Sequence, residues 1–124
     1  VLAQDKLGLN FSEACQSEMR HVLNGMLNSG PFTVLTHGDI APDNVFDHQN
    51  ERGLQLIDFE NCAVRNALLD GVYLRMSIPT GWCAKAIPQE IIEHTEQIYR
   101  DELCKAIPDA KDDKLYNLAY TQAC

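Results

Sequence analysis

The sequence predicts an α+β fold, mainly α, with one small β-hairpin, in a single domain over residues 1–124. Three observations predict it. Apolar residues recur at helical spacing near 11–27, 88–106 and 112–124. Two β-prone runs flank the polar turn Asp47-His48-Gln49-Asn50-Glu51-Arg52-Gly53. Finally, 45% of the residues are hydrophobic, enough for a core and too many for a disordered chain.

Residues 1–10 carry no pattern. Phe11, Ala14, Cys15, Met19, Val22, Leu23, Met26 and Leu27 then predict a helix with one buried face, capped by Asn10 or Ser12 and stopped by Gly30-Pro31. Its methionines are expected to fill the core and His21 to lie on the surface. Residues 32–36 form a short β-prone run. Val45 and Phe46, then 54–59, predict a hairpin that folds its two ends back to the same edge. Residues 66–76 read as a helix with Asp70 early in it. The stretch 77–86, with Pro79, Gly81 and the single Trp82, reads as a loop; Trp82 is expected to pack rather than to bind a cation. Pro88 opens a helix with Ile91, Ile92, Thr95, Ile98, Tyr99, Leu103 and Ala106 inward and Glu90, Glu93, Glu96, Arg100, Asp101 and Glu102 solvated. Pro108 follows its end, and Asp112 or Asp113 begins a last helix with Leu115, Leu118, Ala119 and Ala123 inward.

Ten Lys and Arg against 18 Asp and Glu give a formal charge of −8, which argues against a nucleic-acid groove. No apolar run approaches the length of a membrane span. The five cysteines are dispersed and make no C-x-x-C pair, so a zinc site is not expected; reduced, mostly buried thiols in a cytoplasmic protein are.

The chemistry concentrates in His37-Gly38-Asp39-Ile40-Ala41-Pro42-Asp43-Asn44 and Leu56-Ile57-Asp58-Phe59-Glu60. The hairpin would set Asn44 beside Asp58, with Asp39 in the loop just before them. Three oxygen-bearing side chains there suit Mg²⁺, a hard cation that leaves room for phosphate oxygens. One carboxylate left over can orient or deprotonate a hydroxyl, as phosphoryl transfer requires. Plainer readings stand beside these. Asp39 after a glycine could be a turn residue or a helix cap. Asp58, ending an apolar strand, needs a cation or donors, and Arg65 could serve in place of a metal. Asp43 is expected to be an ordinary turn residue, Glu60 to be solvated or to brace the loop, and His37 to act as a strut rather than a proton shuttle.

These motifs resemble the aminoglycoside phosphotransferase and choline kinase-like family of small-molecule kinases, which share the protein-kinase fold. The match covers residues 36–60, with a looser match through Asp70. The resemblance implies that Asp39 is the catalytic Asp and that Asn44 and Asp58 bind Mg²⁺ and, through it, ATP. It implies that His37 braces the catalytic loop and that Asp70 helps hold it. It also implies transfer of the γ-phosphoryl group to a hydroxyl of an amino sugar, amino alcohol or related small molecule. The family's usual Gly-Asp-Pro lead-in is absent, since Asn66-Ala67-Leu68-Leu69 precede Asp70.

A kinase must also hold its nucleotide from the other side, with a strand Lys, a Glu paired to it and a covering loop. Nothing before residue 36 supplies these, and no G-x-x-x-x-G-K-[ST] loop occurs. The chain is therefore expected to be a C-terminal catalytic lobe whose N-terminal nucleotide lobe is missing. Its upper surface would be unusually exposed or used in self-association, and the lobe alone inactive. The alternative is a non-catalytic kinase-like binding or interaction module. A metal-dependent hydrolase is less well supported, because His21, His48 and His94 show no ligand spacing.

Overall fold

The computed structural model describes residues 6–75 and 87–124. The expected loop at 77–86, with Trp82 and Cys83, lies outside the described residues. In chain order the main elements are helix α1 (Glu13–Leu27), strands β1 (Thr33–Thr36), β2 (Val45–Asp47), β3 (Leu54–Leu56) and β4 (Ala63–Asn66), a short helix α2 (Leu68–Gly71), and helices α3 (Gln89–Ala106) and α4 (Asp113–Ala123).

Two small antiparallel sheets carry the middle of the chain. The hairpin pairs β2 with β3, Val45 opposite Leu56. Side chains shape its turn: Asp47 Oδ1 accepts from the Gln49 amide and Asn50 Oδ1 from the Arg52 amide. Its second strand stops at Leu56, short of the expected 54–59, because Asp58 turns left-handed (φ 62°, ψ 63°) into the 3₁₀ turn Phe59–Asn61. The other sheet pairs β1 with β4, Thr36 opposite Ala63 and Thr33 opposite Asn66. Strand β4 is unanticipated, since one turn of helix so close behind it masks a four-residue strand in the pattern. The helix expected over 66–76 is instead the end of β4, then α2, then the 3₁₀ turn Tyr73–Arg75. Fully buried Asn66 makes that switch: its Oδ1 accepts from the Leu68 amide and its Nδ2 donates to the Ala119 carbonyl.

The core gathers Phe32, Leu68, Val72, Ile107, Ala110, Tyr116, Ala119 and Ala123. It lies between β1, α2 and the α3–α4 pair, which the 3₁₀ turn Pro108–Lys111 joins. Asp112 caps α4, accepting from the Lys114 and Leu115 amides. The inward face of α3 uses Ile92, Tyr99 and Leu103, while Ile91 and Ile98 are exposed. Glu96, expected in solvent, is instead inside an ion pair with Arg75 at 2.6 Å and accepts from the Tyr120 hydroxyl at 2.8 Å. Arg100, also expected in solvent, lies over the Tyr116 ring, 4.1 Å from its centroid, and bonds the Ala110 carbonyl. Tyr116 thus takes the inward position expected of Leu115 and Leu118, both exposed.

Helix α1 starts as expected, with Ser12 Oγ accepting from the Cys15 amide. It has no buried residue, contrary to the expected buried face. Its main neighbours are only β4 and α4, where Gly25 lies against Gln122, so Met19, Val22, Leu23 and Leu27 remain exposed. The described cysteines also differ from expectation: Cys62 and Cys124 are exposed and Cys15 and Cys104 half-buried, all as free thiols.

Candidate active site

The loop after β1 is held by side chains and backbone from three directions. Asp70, in α2, accepts the His37 amide at 2.7 Å and the Gly38 amide at 2.9 Å. A carboxylate with two backbone N–H donors is a charge-assisted anchor. The buried His37 ring bonds the Ile57 carbonyl through Nε2 at 2.8 Å. A carbonyl only accepts, so Nε2 carries the proton and Nδ1 is left to accept the Asp39 amide at 3.3 Å. Both ring nitrogens are committed, which makes His37 a strut, as expected. The Phe59 ring covers it at 4.6 Å between centroids.

The hairpin is the third support. Asn44 Nδ2 donates to the Asp39 carbonyl at 2.8 Å, and the Asn44 carbonyl accepts the Ile57 amide at 3.0 Å. Asp39 and Asn44 are thus directly joined, and Asp58 follows the residue that bonds both His37 and Asn44. With Asn44 Nδ2 turned to the backbone, its Oδ1 is left as a potential ligand. Asp58 is exposed, and its left-handed backbone is one that Asp tolerates better than most residues. Arg65 does not pair with it: the guanidinium bonds Thr36 and Asn61 instead. Asp43 and Glu60 are exposed, and neither carboxylate bonds a described residue.

These donors fit a hard divalent cation in kind: a carboxylate and an amide oxygen, both uncommitted. Among the described residues no three His, Cys, Asp or Glu side chains gather closely enough to hold a metal alone. An open, mostly apolar hollow of about 540 Å³ adjoins the loop, with Leu35, His37, Ile40, Val45, Leu56 and Phe59 in its wall. Behind it the Tyr99 hydroxyl, bonded to the Ala67 carbonyl at 2.7 Å, is pushed up to about 12, first by burial and then by the Asp70 charge.

The sequence pattern assigned Thr36 no role and offered Arg65 only as the alternative partner of Asp58, whereas the two bond each other. Their signal was slight, because a Thr ending one strand and an Arg within another meet only when β1 pairs with β4.

The Asn44 side chain thus bonds the backbone of the Asp39 loop just before the hairpin begins, and Asp58 follows the hairpin's second strand. By comparison with protein families, the chain belongs to the phosphotransferase enzyme family, whose model matches residues 2–101. Phosphoryl transfer is the chemistry of that family. No curated protein matches the chain. No helix among the described residues is long and apolar enough to cross a membrane.

Proposed function

We propose that this chain is the C-terminal catalytic lobe of an ATP-dependent kinase that phosphorylates a hydroxyl of an amino sugar, an amino alcohol or a related small molecule. The observation that supports this reading is the bonded set of His37, Asp39, Asn44 and Ile57, in which the His37 ring and the Asn44 side chain tie the Asp39 backbone to the two ends of the hairpin. Asp39 orients the acceptor hydroxyl and takes its proton as the new oxygen–phosphorus bond forms and the bond to ADP breaks. Asn44 and Asp58 hold Mg²⁺, which when bound neutralises charge on the phosphate oxygens. His37 and Asp70 touch no reacting atom and keep the Asp39 loop in place.

The nucleotide lies between this lobe and a second, N-terminal lobe. Exposed apolar side chains on one face of each sheet support this: Leu35 and Val64 on the first, Leu54 and Leu56 on the second. Self-association through the same surface is the competing use, and the oligomeric state of the complete protein separates them. The free thiols fit a cytoplasmic enzyme.

The test is transfer from ATP labelled in its terminal phosphate, using the complete protein, Mg²⁺ and a panel of amino sugars and amino alcohols. Asp39→Asn should cut turnover by about 10²–10⁴-fold, the usual worth of a positioned base. Full turnover by that variant would refute the assignment of Asp39. Nucleotide binding with no transfer to any acceptor would favour a kinase-like binding module.

A further inference from the structure

Arg65 touches both halves of the proposed site without belonging to either. It stands on β4 opposite Val34, on the sheet face that also carries Thr36 and is turned away from exposed Leu35 and Val64. Its Nε donates to Thr36 Oγ1 at 2.8 Å and its Nη2 to the Asn61 carbonyl at 3.0 Å. Thr36 is three residues before Asp39, and Asn61 three residues after Asp58. The Thr36 hydroxyl donates to the Ala63 carbonyl, which leaves its oxygen aimed to accept from Arg65. Gly38 lies under the same guanidinium: at φ 82°, a Cβ there would run into Arg65 Nη2. The absent side chain of residue 38 and the guanidinium of residue 65 fill one space.

Among the described residues this arginine enters no ion pair, and both of its directed bonds go to neutral oxygens. A planar fork bonding two separate segments fixes their spacing in a way that a flexible ammonium cannot. We propose that Arg65 is a positioning residue for phosphoryl transfer. Its guanidinium pins the loop bearing Asp39 to the turn bearing Asp58, and so sets the distance between the carboxylate that orients the hydroxyl and the one that holds the cation. This rests on the roles given to Asp39 and Asp58 above. Such spacing matters because a misplacement of about 1 Å can cost about a hundredfold in rate.

The experiment compares wild type, Arg65→Lys and Arg65→Ala in the complete protein. It reads kcat and KM with labelled ATP and the acceptor found by the panel, thermal unfolding, and amide hydrogen exchange. Arg65→Ala should lower kcat by about ten- to a hundredfold with little change in KM. Arg65→Lys should fall between it and wild type, keeping the charge but not the fork. In both variants exchange should quicken at residues 36–44 and 58–63 while α3 and α4 stay protected. Wild-type kcat and exchange in both variants would overturn the proposal. So would a loss of kcat that only tracks a loss of folded protein in each. A wild type that transfers no phosphoryl group would sink the kinase reading. The exchange data then decide the clamp: loosening of both segments supports it, and unchanged protection overturns it.

Discussion

Replacing Asp70 by Ala removes the anchor on which the His37–Asp39 loop depends. Two backbone donors lose their acceptor, His37 N–H at 2.7 Å and Gly38 N–H at 2.9 Å. His37 is buried, so its amide is left unpaired, at a cost of about 2 kcal/mol. Gly38 is exposed and its amide can turn to water, so only about 1 kcal/mol is lost there. The sum of about 3 kcal/mol is a large share of the roughly 5–15 kcal/mol that holds a domain folded. It should lower the midpoint of thermal unfolding by about 10 °C for a chain of this size. Asp70→Asn should cost less, because one acceptor oxygen remains. Urea unfolding followed by circular dichroism gives the free energies directly. A change under about 0.5 kcal/mol for Asp70→Ala, the scatter of ordinary surface substitutions, would refute the anchoring argument.

Gly38→Ala should destabilise by at least about 2 kcal/mol, since left-handed backbone alone costs about 1–2 kcal/mol for a residue with a Cβ. That Cβ would also stand 2.6 Å from the Asn61 carbonyl oxygen and displace the Arg65 guanidinium. Denaturant midpoints measure it, and an unchanged midpoint would count against the close approach. Tyr99 ionises late, at about 12. Its folded value lies above the ordinary value of about 10, so its contribution to stability is complete below about pH 10 and is lost as pH rises through about 12. Ultraviolet titration should show tyrosine ionising late in the folded protein and near pH 10 after denaturation; coincident curves would contradict it. At the acid end, the Arg75 hydrogen bond holds the Glu96 carboxyl below the usual range, against the opposing effect of burial. The stability it contributes is present above the ordinary carboxylate value and fades as pH falls through the lower folded one. Glu96→Gln should therefore flatten the acid limb of the stability profile.

The hairpin was legible because its strands alternate with a turn whose residues bond their own backbone, a local matter. The approach of residues 44 and 57 was legible for a related reason: a short hairpin returns to where it began, and the Ile57 amide bonds the Asn44 carbonyl. The bracing role of Asp70 came from family resemblance, and its two bonds to the loop bear it out. Strand β4 and the clamp of Arg65 depend on pairing between residues about thirty positions apart, which no local pattern carries. The same is true of Glu96 and Tyr116, whose surroundings are set by where α4 crosses α3. On α1 the apolar stripe was real, but a stripe does not say whether a neighbour covers it; here Met19, Val22, Leu23 and Leu27 stay open.

Calorimetric titration of a non-hydrolysable ATP analogue into the complete protein, with and without Mg²⁺, tests the central claim most directly. Asn44 and Asp58 together should account for the Mg²⁺-dependent part of binding. Asp58→Asn and Asn44→Ala should each weaken that part by about tenfold or more and leave the Mg²⁺-independent part in place. Equal Mg²⁺-dependent affinity in all three proteins would contradict the account.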